Sequence, residues 1–171
     1  LKFPALATHY YSEDICQMML YIHMGFRPGN ILASIDGSRV CDAERAKNIF
    51  WVEKRNFPYG KHAYSTLYLN EHTFSYYLDS LNKLSPKFMR GYPSGFLTLC
   101  HFIESKHSKV AFRLKGVYLT SENYTKEDSD YISSILQCPV YGQYGHTECS
   151  IFAVKRPCEK KYLCSPLYGL T

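Results

Sequence analysis

Apolar residues along this chain keep two rhythms, and the rhythm changes wherever glycine, proline or a small polar residue intervenes. Phe74, Tyr77, Leu78, Leu81 and Leu84 repeat at the i, i+3, i+4, i+7 spacing of one helical face, and Asn70 stands ahead of them as a cap. Phe96, Leu97, Cys100 and Ile103 predict a second helix, entered through the turn Gly91-Tyr92-Pro93-Ser94. Tyr131, Ile132, Ile135 and Leu136 predict a third, opened by the capping-box pair Thr125 and Asp128. Nearer the start, Ile15, Met18, Met19 and Ile22 predict a helix over 12–25 that faces inward on those residues, with Ser12 as its cap. Arg27-Pro28-Gly29-Asn30 ends it by turn chemistry. Between these stretches lie apolar runs of strand length at 31–35, 64–69, 87–90, 116–120 and 138–141. Residues 36–63 mix charge, glycine, proline and the only tryptophan, and predict an irregular excursion.

Strands alternating with helices at intervals of about 25 residues are the mark of an α/β fold, a mostly parallel sheet with flanking helices. Right-handed crossovers leave the carboxyl ends of such strands on one edge, where open α/β sheets bind ligands. Three loops are expected at that edge: Gly91-Tyr92-Pro93-Ser94, Thr120-Ser121-Glu122-Asn123, and Gln143-Tyr144-Gly145-His146-Thr147-Glu148. Gly, Ser, Thr, Glu and aromatic residues concentrate in them, and that coincidence points to a site.

Composition narrows the field further. With 171 residues, 46% hydrophobic and 20% charged, the chain suits one globular domain with a real core. No apolar run approaches the roughly 20 residues that cross a bilayer, and no leader pattern opens the chain. The formal charge of +5 is spread thin, in pairs such as Lys54-Arg55 and Lys160-Lys161. That argues against nucleic acid and fits an anionic small ligand. Seven cysteines in no regular framework suggest reduced thiols and a cytoplasmic protein. The Asn123-Tyr124-Thr125 sequon reads as chance, since nothing else suggests secretion. The absence of a Gly-x-Ser-x-Gly elbow argues against an α/β hydrolase.

The run Tyr144 to Glu148 carries the densest chemistry. Tyr144 offers a flat face to a base, and Gly145 lets the backbone turn tightly or come close to a ligand. Thr147 offers a hydroxyl to a phosphate oxygen, and Glu148 a carboxylate of the kind magnesium prefers. Taken alone, the same residues also fit a Tyr-Gly turn and a Thr-capped helix with an acidic first turn.

Residues 64–171 resemble the phenylacetate–coenzyme A ligase-like branch of the adenylate-forming superfamily, especially its capsular polysaccharide biosynthesis members. Four segments carry the likeness in order: Tyr64 to Leu69 with Ser85 to Ser94, Thr120 to Thr125, Tyr144 to Glu148, and Cys158 through Ser165-Pro166. The likeness is fainter over residues 1–60. It implies part of the large N-terminal domain of an enzyme that joins a carboxylate to ATP as an acyl-adenylate. The acyl group then passes to coenzyme A or another acceptor. By this resemblance residues 1–171 form a single partial adenylation domain. The Ser/Thr/Gly-rich phosphate loop would lie upstream, with Leu1-Lys2-Phe3 following it, and a small C-terminal domain with the catalytic lysine would lie downstream.

The resemblance also assigns roles. Tyr144 and Gly145 would flank the adenine, with Ser121 and Glu122 lining it through backbone groups. Thr147 would bond a phosphate oxygen and Glu148 would hold magnesium, the pair forming the catalytic set. Tyr92, Pro93 and Ser94 would edge the acyl pocket. His146 stands where relatives often carry a small residue, and would touch substrate or remain an exposed loop histidine. Cys158 and Cys164, with Cys149 upstream, occupy the place of a structural zinc site in some relatives; zinc and free thiols both stay open. The implied partners are ATP, Mg²⁺, a small carboxylate and coenzyme A, with room for a homo-oligomer and with no nucleic acid and no membrane insertion. The competing reading is a degenerate adenylating fold kept as a non-catalytic binding or scaffolding module.

Overall fold

The structure, a computed structural model, describes residues 7–145, 151–165 and 168, with side chains from residue 14 onward. Among these residues the chain forms one mixed sheet in the order β2-β3-β1-β4-β5-β6-β7-β8. The strands are β1 (Leu32–Asp36), β2 (Trp51–Glu53), β3 (His62–Ser65), β4 (Phe88–Gly91), β5 (Gly116–Leu119), β6 (Val140–Gly145), β7 (Phe152–Lys155) and β8 (Leu163–Cys164). The helices are α1 (Ala7–His23), α2 (Asp42–Arg45), α3 (Phe74–Leu84), α4 (Pro93–Ser105) and α5 (Lys126–Leu136). Strands β3, β1, β4, β5 and β6 run parallel, while β2, β7 and β8 pair antiparallel at the two sides.

The pleat divides the core in two. Ala33, Ile35, Met89, Val117 and Leu119 meet α3, α4 and α5 in the larger cluster. Their neighbours Leu32, Phe88 and Tyr118 meet Leu20 and Tyr21 of α1, with Met24 just after it, on the opposite face. Successive side chains on a strand point to opposite faces, so nearly continuous apolar runs are what a sheet covered on both sides requires.

The helices at 74–84, 93–105 and 126–136 lie where the periodicity puts them. Thr125 accepts from the Asp128 amide at 3.1 Å and the Asp128 carboxylate accepts from the Thr125 amide at 2.8 Å, completing the capping box. Asn70 acts one turn earlier than expected. Its side chain accepts from His72 and Thr73, its carbonyl accepts from Phe74, and Thr73 takes the cap position.

Helix α1 departs from expectation at both ends and in its face. It begins by Ala7, so Ser12 lies inside it. It ends before the Arg27 turn, at Gly25, whose φ is 89°. There the Phe26 amide reaches the Tyr21 carbonyl and the Gly25 amide reaches Ile22, a Schellman closure with the Tyr21 and Phe26 rings 5.7 Å apart. The buried face is Gln17, Leu20, Tyr21 and Met24, whereas Ile15, Met19 and Ile22 are more than half exposed.

The expected irregular excursion contains a strand, β2, antiparallel to β3, and the expected strand at 64–69 stops at Ser65. A 3-10 turn at Thr66–Tyr68 follows, with the Ser65 hydroxyl accepting from the Leu67 amide. Aromatic packing accounts for both differences: Phe50 stacks on Tyr77 at 5.6 Å, and the Tyr77 hydroxyl donates to the Ser65 carbonyl at 2.7 Å. This ends the strand by drawing its last carbonyl out of the ladder.

Two outcomes follow from this packing. A Cβ on Gly91, whose φ is 148°, would sit 1.9 Å from the Ile35 carbonyl oxygen. Gly91→Ala should therefore cost about 3 kcal/mol, read as a lower urea midpoint with an unchanged slope. Cys100 and Cys138 are buried, and burial pushes both thiols up to about 12. Exposed Cys41, Cys158 and Cys164 should react with a thiol reagent at pH 8 in the folded protein, while Cys100 and Cys138 react only after denaturation.

Candidate functional site at the carboxyl edge of the sheet

Parallel pairing brings the ends of β1, β4, β5 and β6 to one edge, and two of the expected loops are tied together there. Helix α4 starts with Pro93 at its first position, and Tyr92 ahead of it offers no side-chain cap. The cap comes from Glu122, across the edge. One carboxylate oxygen accepts from the Ser94 amide at 3.0 Å and the other from the Ser94 hydroxyl at 3.0 Å. An anion is favourable at a helix start, where amides are unpaired and the dipole is positive. Ser121 precedes this contact with a φ of 71°, a left-handed conformation that costs an L-residue about 1–2 kcal/mol. The Glu122 carboxylate is thus engaged at the start of α4.

Beside this tie lies a cleft of 340 Å³. Ser34, Asp36, Gly37 and Ser38 supply one wall from β1 and the turn after it; Arg90, Gly91 and Tyr92 supply the middle from β4; Thr120 and Ser121 supply the far side after β5. Tyr59 closes it from the β2–β3 connection. The register explains the grouping. Leu32 pairs with Phe88, then Ser34 with Arg90, so the α1 face of the sheet changes from apolar to polar within one step along the strands. The Asp36 carboxylate accepts from the Ser34 hydroxyl at 3.1 Å and the Ser38 amide at 2.9 Å. Arg90 donates to the Pro58 carbonyl at 3.1 Å and more weakly to Gln17 at 3.5 Å, with its guanidinium between the Tyr59 and Tyr118 rings. Gln143 accepts from the hydroxyls of Tyr118 and Thr120, joining β6 to the same network.

Sequence reasoning placed Tyr92 and Ser121 near a site, and both line this cleft. It missed Ser34, Asp36 and Arg90. Their signal was there: polar residues at alternate positions in strands otherwise built of apolar ones.

Tyr144 stands apart from the cleft, next along β6 from Gln143 and so directed to the other sheet face. It is half exposed and meets the Tyr162 ring edge-on at 6.2 Å. Tyr162 and Tyr124 cluster under the Lys155 ammonium, and the Tyr124 hydroxyl fills the space over Gly142, where a Cβ would lie 1.9 Å from it. Gly145 does not turn. It stays in β6, paired with Phe152, so of its two expected uses the tight turn is not made. Pro93 is buried at the start of α4. His146, Thr147, Glu148 and Cys149 lie outside the described residues, as does Pro166. Cys158 and Cys164 are exposed thiols, and among the described residues no three His, Cys, Asp or Glu side chains gather as a metal site. No described helix is long and apolar enough to cross a membrane.

No family model matches the chain. In sequence it is similar to protein CapK of Staphylococcus aureus, 24% identical over 128 residues that make up 75% of this chain and 28% of that protein. In fold it is similar to 2-hydroxyisobutyryl-CoA ligase in its postadenylation state with R3-HIB-AMP, with a TM-score of 0.57, 17% identity, and coverage of 84% of this chain and 30% of the ligase. An open conformation of that ligase with 2-HIB-AMP and CoA gives a TM-score of 0.52 at 16% identity, over 78% of this chain and 30% of the ligase. The chain spans less than a third of the length of each of these proteins. It shares the α/β fold of part of 2-hydroxyisobutyryl-CoA ligase and resembles CapK in sequence.

Proposed function

We propose that this chain is the part of an ATP-dependent adenylate-forming ligase that holds the nucleotide and the carboxylate, acting in surface or capsular polysaccharide biosynthesis. The observation that carries the reading is the tie between Glu122 and Ser94. It fixes the two loops assigned to adenine and acyl group against each other, at the edge where α/β sheets take ligands. In the proposed reaction a carboxylate oxygen forms a bond to the α-phosphorus of ATP, the bond from that phosphorus to the bridging oxygen breaks, and pyrophosphate leaves. The acyl-adenylate then passes its acyl group to coenzyme A or another acceptor, releasing AMP.

Little covalent work falls to the protein. It orients the carboxylate against the phosphate and stabilises charge that develops in transit. Backbone groups at Ser121 and Glu122, with the Tyr144 ring and Gly145, hold the adenine on this reading. Tyr92, Pro93 and Ser94 edge the acyl side on this reading, and His146 is assigned a contact with the substrate. Thr147 bonds a phosphate oxygen and Glu148 holds magnesium, which supplies charge neutralisation when bound. The Glu122 carboxylate is bonded to Ser94, and the metal role is assigned to Glu148 by the resemblance. Zinc at Cys158 and Cys164 stays outside the proposal; Cys149, named with them, lies outside the described residues.

Two measurements on the full-length protein test the reading. Glu148→Gln should lower the rate of carboxylate-dependent ATP–pyrophosphate exchange roughly 10²-fold and weaken its magnesium dependence, with the fold intact. A wild-type rate and magnesium profile would remove Glu148 from the site. Tyr144→Ala should raise the KM for ATP roughly tenfold through lost stacking, with a smaller change in kcat. If no carboxylate supports exchange in the wild-type protein, while nucleotide or ligand binding persists, the non-catalytic module is the correct alternative.

A further inference from the structure

We infer that the acid taken by this site carries hydroxyl groups along its chain, a short hydroxylated acid rather than an alkyl or aryl one, seated in the cleft between Asp36 and Arg90. The inference rests on the ligase reading above for the fate of the carboxylate, but its own basis is the cleft.

Asp36 and Arg90 both line the cleft, and among the described residues neither is in an ion pair. Asp36 uses its two oxygens for one hydrogen bond each, although a carboxylate has about four acceptor positions. Arg90 donates through one terminal nitrogen to Pro58 and Gln17, although a guanidinium carries five N–H groups. Ser34 and Thr120, each nearly buried, add hydroxyls on the same sheet face.

These groups select by chemistry. An alkyl or aryl chain would strip water from an unpaired carboxylate and an unpaired guanidinium and return no hydrogen bond to either, a steep cost for any occupant. A second anion would suit Arg90 and be repelled by Asp36; an ammonium would suit Asp36 and be repelled by Arg90. A hydroxyl both donates and accepts, so it satisfies each without a charge. Asp36 and Thr120 stand on strands two apart, roughly 10 Å at ordinary strand spacing. That span suits a chain of a few hydroxylated carbons, and the cleft's 340 Å³ has room for one.

The experiment uses the full-length protein and three panels of acids: glycerate and gluconate; butyrate, hexanoate and phenylacetate; glutamate and succinate. Binding is read by ligand-observed NMR in the presence of a non-hydrolysable ATP analogue, and activation by ATP–pyrophosphate exchange. The expected result is a hydroxylated acid favoured at least tenfold in binding and in kcat/KM over its deoxy counterpart. Asp36→Leu should abolish the preference. Asp36→Asn, which keeps the shape and can still accept from Ser38, should weaken it severalfold and serves if the leucine variant does not fold. Preferential use of the alkyl or aryl acids overturns the inference and leaves the ligase reading standing, as does preference for glutamate or succinate. Hydroxylated acids bound in an Asp36-dependent way but never activated uphold the cleft and overturn the ligase reading. Absence of binding by every acid overturns the inference.

Discussion

The parallel register of β3, β1, β4, β5 and β6 is the constraint on which the rest depends. Parallel neighbours cannot be joined by a tight turn, so each connection must travel back along a face of the sheet before the next strand begins. Here α3, α4 and α5 make that return on one face, as their shared cluster shows, and α1 covers the other. With these returns made by the helices, the five parallel strands finish at the same edge. The loops at 91–94 and 120–123 become neighbours for this reason and no other, although about thirty residues separate them in sequence.

That convergence would bring little if the loops were free to wander. Gly91 allows the close crossing from β4 into α4, where the Tyr92 amide donates to the Ile35 carbonyl. Glu122 then fastens the following helix from outside. The price of a left-handed Ser121 is met by two hydrogen bonds to a charged acceptor, each of a kind worth more than a neutral pair. Strain and compensation sit side by side at the edge of the sheet, a combination that recurs where a backbone must present itself to a ligand.

Much of this was readable before any coordinates. The three later helices and the strands between them announced themselves by period, because each must bury one stripe or both faces. The capping box at Thr125 is a purely local device and so was legible locally. Hydrophobicity is a poor guide to the inner face of α1. The inner face carries Gln17, which lies by Arg90, while Ile15, Met19 and Ile22 remain outside. Strand β2 has three residues and is held by aromatic packing across long separations, a signal without a period. The site was half legible. The loops revealed themselves by composition, but Asp36 and Arg90 matter through a register that only pairing can define.

The change from apolar to polar along the α1 face has a consequence for how such a protein diversifies. Leu32 and Phe88 hold the sheet to α1, and one step further along the same strands Ser34 and Arg90 face the cleft. Residues that secure the fold and residues that line the cleft therefore follow one another along a single strand, without sharing positions. Substitutions in the second group can accumulate without eroding the first. On the ligase reading proposed above, a lineage built on this sheet is free to exchange one acid for another by drift at a handful of positions, while selection for foldedness acts elsewhere.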